Sequence, residues 1–275
     1  MNATLEKVDS ETPDLVDDEP SGRSSRWSLY LGRTIILVCV LAVWEYAGRN
    51  WIDPFWISSP SEIGERLLEW ARSGSLAVHV PYTLGETLAG FAIGTLAGGV
   101  AGFLLGWYRR LAELLDPFII ALYSLPKVAL APLFILWFGI GLQSKIVLTA
   151  VIVFFLVLFN AYAGVRNASR ELIDIVRLMG ASSAGVMWRV VLPSALTMIF
   201  LGLRISVPYA LIGAVVGEMM ASNRGIGFLI VQATGQFDTA GAFAAFAILI
   251  VLATILNGLV QWVERYVLRW KAYEQ

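Results

Sequence analysis

The chain has 275 residues, of which 57% are hydrophobic and 15% charged, and its mean hydropathy is +0.70. Soluble domains of ordinary composition do not reach these values, so an integral membrane protein is expected. The formal net charge of -1 gives no basis for nucleic-acid binding, and the single cysteine, Cys39, excludes an intramolecular disulfide.

Met1 to Pro20 is acidic, with Glu6, Asp9, Glu11, Asp14, Asp17, Asp18 and Glu19. Its few apolar residues cannot bury enough surface to fold alone, so a disordered tail is expected over residues 1–28. It lacks the basic start of a signal peptide, and the first apolar run is expected to stay as a membrane anchor.

Six segments are long and apolar enough to cross a hydrocarbon core of about 30 Å. They run Leu29 to Gly48, Thr83 to Trp107, Leu114 to Gly139, Ile146 to Gly164, Ser194 to Met220 and Gly241 to Trp262. An N-terminus inside places most cations in the cytoplasm, among them Arg23, Arg33, Arg109, Arg110, Arg166, Arg189 and Arg265, and leaves Arg49, Arg66, Arg72, Lys145 and Arg224 outside. Both termini are then cytoplasmic. The expected organisation is the tail, a transmembrane domain over 29–270 with a cytoplasmic loop at 167–193, and a short cytoplasmic tail over 271–275.

Between the first two spans, Pro60 to Arg72 reads as an amphipathic helix capped by Ser59 or Ser61, with Glu62 and Glu65 in its first turn. Trp51, Trp56 and Trp70 suit the headgroup level. The second span carries Gly90, Gly94, Gly98, Gly102 and Gly106, one bare face that permits close helix approach, within the bundle or in a dimer.

The third span contains Pro126 and Pro132 and loses backbone hydrogen bonds at membrane depth. Irregular backbone there is tolerated where protein buries it or where it lines a water-filled cavity. Lys127 beside the break, and Arg204 on the fifth span, are therefore candidates for the translocation path with Pro126 and Pro132; both cations also suit the inner headgroups. Glu218 falls near the outer end of the fifth span, and Ser222 to Thr239 reads as a partly inserted outer loop.

Asn167 to Pro193 is the one long polar stretch between hydrophobic segments. Leu172, Ile175, Val176 and Met179 recur at helical spacing, with Arg170, Asp174 and Arg177 opposite, which predicts an amphipathic helix too short to span. Gly180 suits its C-terminus and Pro193 the first turn of a new helix. A turn at Ala181 to Ser183 and a short helix through Val186 to Val191 complete the loop.

Catalytic chemistry is sparse. No Gly-Lys dipeptide occurs, so the phosphate-cradling P-loop is absent. The lone histidine, His79, removes an HExxH zinc site and suits a structural role. Glu45, Glu86 and Glu218 stand on different spans without repeated spacing, which gives no support to a proton relay.

The loop resembles the EAA motif of binding-protein-dependent ABC importer permeases: Asp174-Ile175-Val176, three residues, Gly180, nine residues, Val190-Val191, then Leu192-Pro193. Every spacing of that motif is kept, with Asp for Glu and larger apolar residues for the two alanines. Ser59-Pro60-Ser61, Pro126 to Leu133, Trp137 to Gly141 with Ser144-Lys145, and Gly202-Leu203-Arg204 are similar to the nitrate, sulfonate, taurine and bicarbonate branch.

The resemblance implies an all-α membrane protein with six transmembrane helices and a cytoplasmic coupling-helix loop, the ABC type I importer permease fold, in a bacterial or archaeal plasma membrane. It implies a homodimer or paired permease. An ABC ATPase subunit would hold ATP and Mg, none being bound by this chain, and an extracytoplasmic binding protein would deliver a small anion or vitamin precursor. Arg170, Leu172, Asp174, Ile175, Val176, Arg177, Met179, Gly180, Leu192 and Pro193 would contact the ATPase. The alternative function is an ATP-independent secondary carrier or channel, which predicts flux by this chain alone.

Overall fold

The computed structural model describes residues 26–53 and 55–269, and among these it contains helices and no strand. The tails expected at 1–28 and 271–275 fall almost wholly outside the described residues. The chain divides into two compact units between Trp44 and Glu45.

Helix α1, Arg26–Asn50, begins within the expected tail and carries the first unit. Its apolar residues Leu31, Ile35, Ile36 and Val38 are exposed, as suits a helix whose surroundings are lipid.

In the second unit, α2 is Pro60–Arg72 and α3 is Ser75–Trp107. Ser59 settles the choice of cap: its Oγ accepts from the Glu62 N–H at 3.4 Å, and the Glu62 carboxylate accepts from the Ser59 N–H at 3.3 Å, a reciprocal capping box. Ser61 instead binds Glu45, donating its N–H at 3.0 Å and its hydroxyl at 2.8 Å, while Arg49 pairs with the same carboxylate. Glu45 is thus an anchor for α2. Trp51 and Trp56 are exposed, but Trp70 packs inward on the Ile226–Ile230 cluster, so its sequence-based headgroup role is corrected.

The third span is two helices. α4, Arg109–Ser124, and the segment Lys127–Phe138, a 3-10 turn continuing into α5 at Ala131–Phe138, meet at 79°. Leu125 before Pro126 is extended, with φ -68 and ψ 134, because the proline ring excludes the helical conformation from the preceding residue. The remaining helices are α6 at Leu142–Arg166, α7 at Arg170–Leu178, α8 at Ser183–Val186, α9 at Leu192–Ala221, α10 at Ile226–Gly235 and α11 at Thr239–Val267. Counting the bent pair as one span gives six membrane crossings by length and composition.

Helices α3, α6 and α9 form the centre. The glycine face of α3 lies on α6: a Cβ at Gly90 would stand 2.5 Å from Thr149 Cβ, and one at Gly94 2.5 Å from the Ala150 carbonyl oxygen. Glycines on α6 and α9 bring that pair equally close, since a Cβ at Gly164 would meet Ala195 Cα at 2.9 Å and one at Gly202 would meet Asn160 Cβ at 2.7 Å. In lipid, where apolar surface gains little by leaving the solvent, this close packing supplies the attraction between helices. The stripe therefore serves this bundle. On the outside of the trio, α11 packs Leu252 and Leu256 against Val207 and Leu211 of α9.

Candidate functional site

The loop after α6 is built on two serine caps and one glycine. Ser169 Oγ accepts from the Leu172 N–H at 3.2 Å and starts α7. Gly180, at φ +86, ends it, and the Ala181 N–H donates to the Val176 carbonyl at 3.2 Å to close the turn. Ser182 Oγ then accepts from the Gly185 N–H at 3.3 Å and starts α8.

Pro193 stands in the first turn of α9, as expected, but no break separates α9 from the short helix before it. Met187–Val191 is a π-helical stretch that runs without interruption from α8 into α9. A proline cannot donate, and the wider turn, in which the Leu192 N–H reaches the Met187 carbonyl, absorbs the disturbance. The loop is thereby continuous with a spanning helix.

One side of the loop is fixed to the bundle. Val186, Val190 and Val191 are buried, and Ile173, Val176 and Ala181 pack on the cluster of Val165, Ala168, Val186, Val191 and Ala195. The predicted apolar face of α7 is therefore rotated: Val176 looks inward with Ile173, and the outward apolar residues are Leu172, Ile175, Leu178 and Met179. Leu178 is 89% and Met179 81% exposed. Arg170, Asp174 and Arg177 are also exposed, and the Arg177–Asp174 separation of 4.0 Å makes a solvated pair of little energetic weight. Beside α7 lies an open cleft of about 560 Å³ lined by Asn167, Ser169, Leu172, Val176, Arg189 and Pro193. Leu192 is the first residue of α9.

This helix thus exposes four large apolar side chains beside cations. The Gly180 turn connects it to the continuous α8–α9 helix.

The candidate path residues separate. Lys127 lies at the α4–α5 break between Pro126 and Pro132, where its Nζ donates to the Tyr123 carbonyl and sits 3.9 Å from the Tyr123 ring centre and 5.1 Å from that of Phe155. Arg204 faces elsewhere, its Nη1 3.7 Å from Glu264 Oε2 on α11. The two cations have no partner in common.

Sequence reasoning missed a third feature. Lys145, counted among the outer loop charges, is 1% exposed on α6, and Glu86 and Glu218 are equally buried on α3 and α9. Lys145 Nζ lies 3.0 Å from Glu86 Oε1. The sequence signal was there, since three charges on apolar helices near one membrane end must find each other, but no spacing along the chain links them. The segment 222–239, expected as an outer loop, likewise contains a helix, α10, which packs Ile226, Leu229 and Ile230 on Val215 and Ala245.

Residues 90–269 match the family described as "Binding-protein-dependent transport system inner membrane component". The formylaminopyrimidine transport permease protein ThiX of Halalkalibacterium halodurans is 32% identical over 238 residues, covering 86% of this chain and 95% of that protein. The putative aliphatic sulfonates transport permease protein SsuC of Bacillus subtilis is 31% identical over 273 residues, covering 98% and 97%. Among solved structures, the MetNI methionine ABC transporter in an inward-facing conformation superposes with a TM-score of 0.61 at 20% identity, over 69% of this chain and 94% of that one, a likeness of fold.

Proposed function

The chain belongs to the binding-protein-dependent transport system inner membrane component family and is the permease subunit of an ABC importer, and on that premise we propose how it is oriented, what it meets and what it carries. The Asn167–Pro193 loop faces the cytoplasm, where arginines are concentrated, and both termini lie on that side. Two permease chains, identical or paired, form the membrane unit. ATP and Mg are held by a separate ATPase subunit, and a binding protein delivers the solute at the opposite face.

The observation that carries this reading is the exposed apolar face of α7, which the Gly180 turn links to the continuous α8–α9 rod. Leu172, Ile175, Leu178 and Met179 fill a groove on the ATPase, and Arg170, Asp174 and Arg177 sit at its rim. Closure of the ATPases displaces α7, and the continuous α8–α9 rod conveys that displacement into the bundle. The path runs past the Pro126–Pro132 break, where Lys127 is the cation within reach of a passing solute.

The solute is a small anion or a vitamin precursor. Relatives of similar identity are named for formylaminopyrimidine and for aliphatic sulfonates, and Lys127 suits a solute with negative charge. Proteoliposome uptake tests this: the chain alone is compared with the chain plus its ATPase and binding protein, across sulfonates, nitrate, bicarbonate and vitamin precursors. Uptake that needs every component and ATP supports the reading and names the solute. Uptake by the chain alone overturns it in favour of a carrier or channel.

A further inference from the structure

At the end of the bundle away from the coupling loop, four elements meet through polar groups that are nearly all buried. Thr83 on α3 donates its hydroxyl to Glu218 Oε1 on α9 at 2.7 Å and accepts the Ile226 N–H of α10 at 2.8 Å. Glu218 Oε2 accepts the Gly227 N–H at 2.7 Å, and His79 Nδ1 accepts the Gly225 N–H at 3.0 Å. Lys145 on α6 joins them, pairing with Glu86 and donating to Ser222 Oγ at 2.8 Å. The first three backbone amides of the α10 turn are thus held by side chains of α3 and α9.

Burying two carboxyls and an ammonium costs several kcal/mol per ion before their attraction is counted, and apolar residues of similar volume often serve stability as well. What an apolar set cannot supply is a single register, because hydrogen bonds and buried charges weaken steeply with displacement. Gly225 and Gly227 fit this close approach: a Cβ at Gly227 would meet Glu218 Cβ at 2.8 Å, and a Cβ at Gly225 would meet the Glu218 carboxyl group.

We propose that Thr83, Glu86, Lys145 and Glu218 form a clasp that keeps α3, α6, α9 and the start of α10 one rigid body throughout transport. It rests on the permease reading. Displacement of α7 at the cytoplasmic end then reaches the 222–227 turn, about 45 Å away along the 30 residues of α9, without being lost to sliding between helices. These are positioning residues.

Cross-linking tests the clasp directly. In a Cys39→Ser parent, His79→Cys and Phe228→Cys replace two rings whose centres are 5.8 Å apart, and a short bis-methanethiosulfonate reagent joins them, each thiolate forming a mixed disulfide and releasing methanesulfinate. A permanently closed clasp predicts ATP-driven uptake within about twofold of the unlinked protein. A loss of more than about tenfold, reversed by reductant, would show that the clasp must open and would overturn the proposal. Glu86→Leu/Lys145→Met removes one carboxyl together with the ammonium, and Glu218 keeps its hydrogen bonds from Thr83 and Gly227. The proposal expects exchange at the Gly225, Ile226 and Gly227 amides to rise about tenfold and solute moved per ATP to fall, at unchanged melting temperature. Unchanged exchange and coupling would refute it. If the parent takes up solute without ATP, the permease reading fails, and the exchange measurement still judges the clasp on its own.

Discussion

Gly180→Val isolates the turn that ends α7. The residue sits at φ +86 with nothing within 4 Å of the position a Cβ would occupy, so a side chain meets no neighbour and the whole cost is conformational. Holding an L-residue in the left-handed region costs about 1 kcal/mol for Ala and about 2 kcal/mol for β-branched Val. The chain relieves that strain by reorienting α7, which packs on the bundle through Ile173 and Val176. At 1.4 kcal/mol per decade, 2 kcal/mol depletes the docked orientation about 30-fold. ATP-driven uptake in proteoliposomes should therefore fall in the order Gly, Asn, Ala, Val, with Asn within about threefold because it tolerates the left-handed region. Membrane insertion and melting temperature should be unchanged across the series. Full uptake by the Val variant would refute the link between this turn and coupling.

Three further outcomes follow from the geometry. Gly94→Val drives a Cβ to 2.5 Å from the Ala150 carbonyl oxygen, so α3 and α6 must separate; overpacking of this kind costs about 1–3 kcal/mol, visible as a lower melting temperature in detergent. Ser59→Ala removes the α2 cap and should cost about 1 kcal/mol, read from the same melting curves. Lys127→Met keeps the stem and deletes the charge, and uptake of an anionic solute should fall about tenfold while ATP hydrolysis by the assembled complex persists; unchanged uptake would remove Lys127 from the path.

How much of this was legible in the sequence depended on whether the signal was local. Ser59 with Glu62 three residues on, and Gly180 after the last periodic residue of α7, are local backbone instructions, and the helices end where those residues stand. The glycine repeat on α3 was equally plain, since four-residue spacing fixes one face, though only the structure shows that face lying on α6. The rotation of α7 was not legible. Ile173 and Leu178 flank the predicted face, and which apolar residues turn inward is decided by Val165 and Ala195 on two other helices.

Pro193 was legible in part. Its place in the first turn of a helix is what a proline after a short helix suggests, but the π-helical stretch of Met187–Val191 makes that helix continuous with α8. Lys145 misled. Near the end of a span it counts as a loop charge, and its burial follows from Glu86, 59 positions earlier, and Ser222, 77 positions later, both brought to it by helix packing.

The affinity of the ATPase for α7 tests the proposed coupling surface most directly. Leu178 and Met179 are the most exposed apolar residues of that helix and touch no core cluster, so Leu178→Asp/Met179→Asp leaves the fold intact. Titrating the ATPase onto the reconstituted permease should show binding at least about tenfold weaker for this variant, with the melting temperature unmoved. Binding equal to that of the parent would contradict the placement of the coupling surface.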